Sequence, residues 1–331
     1  MSTDAGLPGH GTAPRGGADS AHPAEEHRRH SAEHWEEAAS GWVRRQEAVR
    51  ELGAPVSHWM VQAIEPQPGQ RVLELAAGLG ETGLLAAKLV APTGGVILSD
   101  QAEAMLEGAR TRAGQLDLTN VEFQVWNAEW IDLPVASVDA ALCRWGYMLM
   151  ADPLAALVET RRVLRPGGRL ALAVWDALPA NPWALAPRLE LLERGLAPGS
   201  DVRPPAGDPA QSPGGSAGAG HTVGAAFGQP EHAPGPFALG DPERLRELLE
   251  RAGFTGATID AIDVVQRHPT FDSFWETMLD LSRELHDLVL ARPEAEIEEI
   301  GASLARRMAP FTAADGTLEI PGRSLVAVAF G

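Results

Sequence analysis

The sequence predicts an α/β protein, a mostly parallel sheet with helices on both faces. Three observations predict it. Between residues 65 and 175, short apolar runs alternate with helical patterns. Those runs (72–75, 95–98, 121–125, 138–143 and 170–175) are almost continuously apolar, as in strands covered on both faces. The first run ends in a loop of small residues, Ala76-Ala77-Gly78-Leu79-Gly80-Glu81-Thr82-Gly83, from which a helix starts at once. Such a loop lets backbone N–H groups at a helix N-terminus approach a ligand where no Cβ intervenes.

Residues 1–30 are rich in Gly, Ala, Pro, Ser, His and charge. They carry too little apolar surface to offset ordering entropy, so a disordered tail is expected. His10, His22, His27, His30 and His34 are irregularly spaced and read as solvated imidazoles, not a metal site. Residues 31–64 turn helical, with Trp35, Trp42, Val43, Val49, Leu52, Val56 and Trp59 as apolar marks, and are expected to form an N-terminal cap. The strand at 72–75 leads into a helix over 82–89, and the strand at 95–98 into one through Met105 and Leu106. Strands at 121–125 and 138–143 follow. Asp152-Pro153 supplies an N-cap and N1 proline for a helix through Leu164. Arg165-Pro166-Gly167-Gly168 stops that helix before the strand at 170–175.

Residues 196–236 are low complexity and cannot support a core, so they read as an insertion, either inert or a flap. Asp241-Pro242 repeats the cap pattern for a helix ending near Ala252-Gly253. A strand at 257–265, a helical stretch over 271–308 and a strand at 325–330 complete the chain. The expected plan is thus a tail (1–30), a cap (31–64), a ligand-binding core (65–195), the insertion (196–236), and a completion of the sheet carrying further cap helices (237–331).

Composition narrows the partners. With 27 Lys+Arg against 45 Asp+Glu, the net charge is −18. That balance argues against nucleic acid and anionic membrane surfaces, which need clustered cations. Cys143 stands alone, so no disulfide framework or cysteine metal cluster forms within the chain. No run approaches the roughly 18 apolar residues of a membrane helix. No charged and apolar leader pattern opens the sequence. The expectation is a cytoplasmic protein acting on a small molecule, with no metal.

Two readings of the glycine loop compete. Gly78-x-Gly80-x-x-Gly83 with Asp100 downstream fits the dinucleotide fingerprint of a nicotinamide oxidoreductase. That reading wants the glycines at the strand end, whereas Glu74 sits in the strand and Ala76-Ala77 intervene. The single tyrosine, Tyr147, also lacks a lysine four residues on, which closes the short-chain dehydrogenase route. Glu74 ahead of the loop, Ser99-Asp100-Gln101, Asn127-Ala128-Glu129, and Asp152-Pro153 with Arg161 to Gly168 together resemble the ordered motifs of class I S-adenosylmethionine-dependent methyltransferases. The likeness covers roughly residues 65–175. It is strongest to the ubiquinone/menaquinone-biosynthesis-like enzymes that methylate small molecules.

The resemblance implies a Rossmann-like, seven-stranded sheet whose last strand is antiparallel, with a helical cap over the acceptor pocket. It implies S-adenosylmethionine held by Glu74, Ala76, Gly78, Gly80, Asp100, Gln101, Asn127, Ala128, Glu129 and Arg144. Glu74 would orient the methionine ammonium, and Asp100 would accept from the ribose hydroxyls while also capping the next helix. Gly83 would serve packing, and Arg144 would bind the cofactor carboxylate or pair with a nearby acid. Ala76 stands where the family has its first glycine, a replacement that extended backbone accepts. Asn127 replaces the adenine-side acid and keeps an acceptor without the charge. Trp42, Trp145 and Tyr147 are the candidate substrate contacts. Met148, Met150, Trp183, Trp275 and Met278 are further candidates for an apolar pocket. No catalytic base is legible. Methyl transfer from a sulfonium requires little beyond proximity and exclusion of water. A non-catalytic binding module of the same fold is the alternative from another class.

Overall fold

The structure, a computed structural model, describes residues 23–196 and 233–331. The expectations for residues 1–22 and 197–232 lie outside the described residues. Two helices open the chain, α1 (Pro23–Arg44) and α2 (Gln46–Ala63). Then follow β1 (Arg71–Glu74), α3 (Glu81–Val90), β2 (Gly95–Asp100), α4 (Glu103–Gln115), β3 (Val121–Val125) and β4 (Val138–Arg144). Next come α5 (Pro153–Val163), β5 (Leu164–Trp175), α6 (Pro182–Glu193), α7 (Pro242–Arg251) and β6 (Thr255–His268). The chain closes with α8 (Phe271–Leu281), α9 (Arg283–Leu290), α10 (Glu294–Met308) and β7 (Leu318–Phe330).

The seven strands lie in the order β3-β2-β1-β4-β5-β7-β6. Strands β1 to β5 pair in parallel, and β7 runs antiparallel to both β5 and β6. From β1 the chain winds outward through β2 to β3, then returns to lie on the other side as β4. Right-handed crossovers therefore put α3 and α4 on one face and α5 on the other. This reversal opens a crevice at the carboxyl ends of β1 and β4. The central strands are buried throughout, with Val72, Leu73, Leu98, Leu142 and Leu172 at 0% exposure, which is why they read as unbroken apolar runs.

Both Asp-Pro signals cap helices as expected. Asp152 Oδ1 accepts from Ala155 N at 3.0 Å, and Asp241 Oδ1 from Glu243 N at 2.9 Å. The stop at Arg165 to Gly168 is instead an irregularity within β5. The ladder steps from Val138↔Leu164 to Ala140↔Arg169, with Gly167 at φ 77°.

Three expectations are corrected. Residues 23–30 are the first turns of α1 and not part of a tail; Glu25 and Glu26 complement the helix dipole in its first turn. The stretch 271–308 is three helices, broken where Ser282 caps α9 and where Pro293 precedes α10. Strands β6 and β7 also run beyond the sheet as a hairpin arm. Leu318 and Ile320 there leave the main core and pack with Phe274, Met278, Leu285, Val289, Leu304 and Met308 in a second one. Trp275 packs on this second core, so neither it nor Met278 reaches the crevice. Met148 is buried in the main core, and Trp183 sits beside Trp175 and Phe237, away from the crevice wall.

Candidate functional site

The crevice at the carboxyl ends of β1 to β4 holds a cleft of about 1000 Å³, solvent at its mouth included. Its floor is the glycine loop. Glu74, the last residue of β1, is 2% exposed, and its Oε2 accepts from Gly83 N in the first turn of α3 at 2.7 Å. Burial pushes the Glu74 carboxyl up to about 8, against the pull of the Arg144 charge and the Gly83 N–H.

The loop's backbone is left-handed at three places. Gly78 (φ 53°) lines the cleft with nothing within 4 Å of where a Cβ would stand, so its backbone is open to a ligand. Gly80 (φ 79°) caps α3 and faces the other way. A Cβ there would come within 2.9 Å of Leu98 Cδ1, so Gly80 serves helix packing and lies outside the cleft wall. Ala76 lines the cleft at φ 49°, contrary to the expected extended backbone. Gly83 packs as expected, since a Cβ would meet Leu98 Cδ2 at 2.4 Å and Glu74 Oε2 at 2.5 Å.

Asp100 ends β2 and binds backbone with both oxygens. Oδ2 accepts from Gly78 N at 2.8 Å and Oδ1 from Ala102 N at 3.0 Å, just ahead of α4. Burial raises its pKa, and the backbone donors oppose the shift. Beyond β3, the Asn127 carbonyl oxygen is engaged by Glu129 N at 2.9 Å. Glu129, 4% exposed, accepts from Asp152 N and pairs with Arg28 of α1 at 2.7 Å. Ala128 and Gln101 complete this wall, with Gln101 Nε2 donating to Ser31 Oγ at 2.8 Å.

Beyond β4, Arg144 and Trp145 line the cleft and Tyr147 does not. The short turn at Tyr147–Leu149 carries Tyr147 into the core, 0% exposed, where its hydroxyl lies 2.7 Å from Thr160 Oγ1. Its pKa rises well above the usual value through burial. Tyr147 is a core residue and not a substrate contact. Trp145 has φ 58°, and its indole Nε1 donates to Ser324 Oγ at 3.0 Å.

The expected cap does reach the cleft, with Trp42 as anticipated, but sequence reasoning missed the first turns of α1, which bring His27, Arg28 and Ser31 to it. His27, Arg28, Ser31, Trp35 and Trp42 all line the cleft. His27 Nε2 lies 3.1 Å from the Leu149 carbonyl and donates to it, because a carbonyl only accepts. Pro23 followed by Glu25 and Glu26 is the start signal that could have revealed this helix. Glu81, whose carboxyl pKa burial also raises, was missed as well.

The site is thus an open glycine loop set between two buried strand-end acids, Glu74 and Asp100, at the carboxyl edge of an α/β sheet. Residues 66–195 match the family model described as a methyltransferase domain. The chain is similar to the ubiquinone/menaquinone biosynthesis C-methyltransferase UbiE of Hahella chejuensis, at 38% identity over 34% of this chain and 46% of that protein. It is also similar to the aklanonic acid methyltransferase DauC of a Streptomyces species, at 32% identity over 37% of this chain and 55% of that protein. The matched stretch thus spans about half the length of these curated relatives. Among solved structures, YcgJ of Bacillus subtilis aligns over 83% of this chain and 97% of its own, at 17% identity and a TM-score of 0.47.

The cleft's residues fit the nucleoside such a domain takes. Gly78 leaves a cradle that a Cβ would fill, two buried acids flank it, and Arg144 Nη1 is buried without a hydrogen-bond partner.

Proposed function

We propose that this chain binds S-adenosylmethionine in the cleft and passes its methyl group to a small, apolar or aromatic metabolite, as an enzyme of class EC 2.1.1. The observation that carries the reading is the join between Asp100 and Gly78. The carboxylate at the end of β2 holds the N–H of the one loop glycine whose free side opens on the cleft. Each Asp100 oxygen has spent one lone pair on backbone and keeps another for a ribose hydroxyl. Glu74 faces the ammonium end, and Gln101, Asn127, Ala128 and Glu129 border the base. Ala76 and Gly78 offer close-approaching backbone between them, while Gly80 fixes the turn from behind.

A bound sulfonium supplies both the methyl group and its own leaving group. The chain's share is then positioning and dryness. Trp35, Trp42, Trp126 and Trp145 wall the cleft with Val49, Leu149 and Met150. They exclude water and present apolar surface, with Trp42 and Trp145 the acceptor contacts, which supports an apolar or aromatic acceptor.

Calorimetry with S-adenosylmethionine, S-adenosylhomocysteine and NAD tests the cofactor. Binding of the first two without the third is expected, and NAD binding alone overturns the reading. Mass-spectrometric detection of methyl transfer across a panel of apolar and aromatic metabolites tests the reaction. Tight nucleoside binding with no transfer to any member would favour a non-catalytic module.

A further inference from the structure

Four carboxylates line the cleft, and three of them are engaged by the protein itself. Glu74 accepts from Gly83 N, Asp100 from two backbone N–H groups, and Glu129 from Asp152 N and Arg28. The fourth is Glu81, the first residue of α3. It accepts no hydrogen bond and forms no ion pair with any described residue. An acid in a first turn suits the helix dipole, but that role asks only for an exposed side chain. Glu81 is half-buried in the cleft wall instead. The charges that act on it belong to Arg144 at the end of β4, Arg112 on α4, and Arg50 and Glu47 on α2. Asp100 and Glu129, proposed to border the nucleoside, are not among them. Glu81 therefore belongs to the side of the cleft where Val49, next to Arg50, and Trp145, next to Arg144, stand.

An acceptor held there against apolar and aromatic walls meets one carboxylate whose lone pairs are all free. Such a carboxylate selects a ligand that brings a hydrogen-bond donor and disfavours an anion. An aromatic hydroxyl is that kind of donor. It keeps its proton at neutral pH and must lose it when its oxygen is methylated, so a base beside it matters. Burial raises the Glu81 carboxyl pKa, which moves it toward the range a base needs at neutral pH. Resting on the methyl-donor reading, we propose that the acceptor is a hydroxylated aromatic compound methylated on oxygen, and that Glu81 is the base that holds and removes its hydroxyl proton. The acceptor oxygen forms its bond to the methyl carbon as the S–CH3 electron pair stays on sulfur. The hydroxyl proton passes to a Glu81 carboxylate oxygen and leaves to solvent when the product departs.

The test saturates the full-length protein with S-adenosylhomocysteine and titrates three fluorescent probes, at a pH where all are neutral. They are 7-hydroxycoumarin, coumarin without the hydroxyl, and 7-methoxycoumarin, the methyl ether. The wild type should bind 7-hydroxycoumarin roughly 10-fold or more tightly than the other two, the range of a hydrogen bond to a charged partner. Glu81→Ala should remove that preference. Glu81→Gln should shrink it to a few-fold, because an amide carbonyl accepts without the charge. Both variants should keep the Kd of S-adenosylhomocysteine and of coumarin within about two-fold, and melting temperatures establish that they are folded. If Glu81→Ala does not fold, the wild-type ratio and Glu81→Gln still decide. Absorbance reports the ionisation of the bound hydroxyl, which should occur at higher pH in the wild type than in Glu81→Gln, since a phenolate is repelled by the carboxylate. In the metabolite panel the products should be aryl methyl ethers, formed at least about 100-fold more slowly in kcat by Glu81→Gln. Equal affinity of the wild type for 7-hydroxycoumarin and coumarin overturns the proposal, as does binding of neither. So do products methylated on carbon or nitrogen, or an unchanged kcat in Glu81→Gln. A loss of S-adenosylhomocysteine affinity in Glu81→Gln would make Glu81 a donor contact and also overturn it. If the wild type binds no S-adenosylhomocysteine, the methyl-donor reading falls and takes this inference with it.

Discussion

At the scale of single residues, the site is built from groups held in unfavourable states. Ala76 and Trp145 adopt left-handed backbone at the cleft wall, which costs of order 1 kcal/mol each for residues with a Cβ. Asp100 is buried with both oxygens on backbone N–H groups, so it braces the loop that it is proposed to help recognise a ribose. Asp100→Ala therefore acts twice. Affinity for S-adenosylhomocysteine should fall by about 1.5–3 kcal/mol, and unfolding free energy by about 1–3 kcal/mol because two buried donors lose their acceptor. Calorimetry and denaturant titration measure the two separately; unchanged affinity with lowered stability would leave Asp100 a brace alone. Glu74 gives a proton-linked prediction. Its pKa rises in the fold from the usual 4.5 to about 8, so its contribution to stability is present below pH 4.5 and lost as pH rises through about 8. A ligand ammonium beside it would pull that pKa back down. Binding at pH 7 should then release close to one proton, read from calorimetry in buffers of different ionisation enthalpy, and Glu74→Gln should release none. Equal proton release by the two proteins would remove Glu74 from the ammonium site.

At the scale of elements, one stretch of α1 ties three separate loops together. Ser31 meets Gln101 beyond β2, Arg28 meets Glu129 beyond β3, and His27 meets the Leu149 carbonyl beyond β4. These loop tips bound the cleft, so α1 straps its mouth. Arg28→Ala should speed dissociation of S-adenosylhomocysteine. It should also lower stability by about 3–5 kcal/mol, because it leaves the buried Glu129 unpaired. Adding Glu129→Gln should restore stability without restoring slow dissociation, which separates the strap from the charge penalty. Stopped-flow release from the double variant at the wild-type rate would deny α1 that role. This element also shows where the sequence stops being legible. Strands β1, β2, β4 and β5 declared themselves because their own apolar residues bury them on both faces, and the edge strand β3 because its apolar residues alternate with polar ones. The first turns of α1 are polar, and what orders them is Glu129, Leu149 and Gln101, some 70 to 122 residues away in sequence. Local composition cannot report such partners. Tyr147 misled for a related reason, because the turn that drives it into the core depends on Thr160 and the packing around it.

At the scale of the whole molecule, the strap is anchored in the second core. The carboxyl end of α1 is bound to α8, with Arg44 and Arg45 both paired to Asp280 at 2.6 Å and Trp42 Nε1 donating to the Leu281 carbonyl at 3.3 Å. The sheet carries the glycine loop, and the hairpin arm of β6 and β7 carries the helices that fix α1 over it. The seven-stranded sheet and its antiparallel last strand follow from motifs within residues 65–175 and the family they resemble. The anchoring was not legible, because it joins residues some 235 apart through several polar contacts and one close backbone approach. That approach is at Gly41. A Cβ there would stand 2.0 Å from the Asp280 carbonyl oxygen, so the two backbones touch and neither can yield without moving a helix. Gly41→Ala should therefore lower unfolding free energy by about 1–3 kcal/mol, the range for overpacking a tight contact, despite the gain in helix propensity. Because α1 would shift from α8, the Arg28–Glu129 and Ser31–Gln101 contacts would loosen with it, and affinity for S-adenosylhomocysteine should fall although position 41 is outside the cleft wall. Gly114→Ala is the matched control: it lies in α4 with nothing within 4 Å of its would-be Cβ, and should stabilise by about 0.5–1 kcal/mol with affinity unchanged. Loss of stability in Gly41→Ala with wild-type affinity would mean that the second core and the cleft are energetically independent.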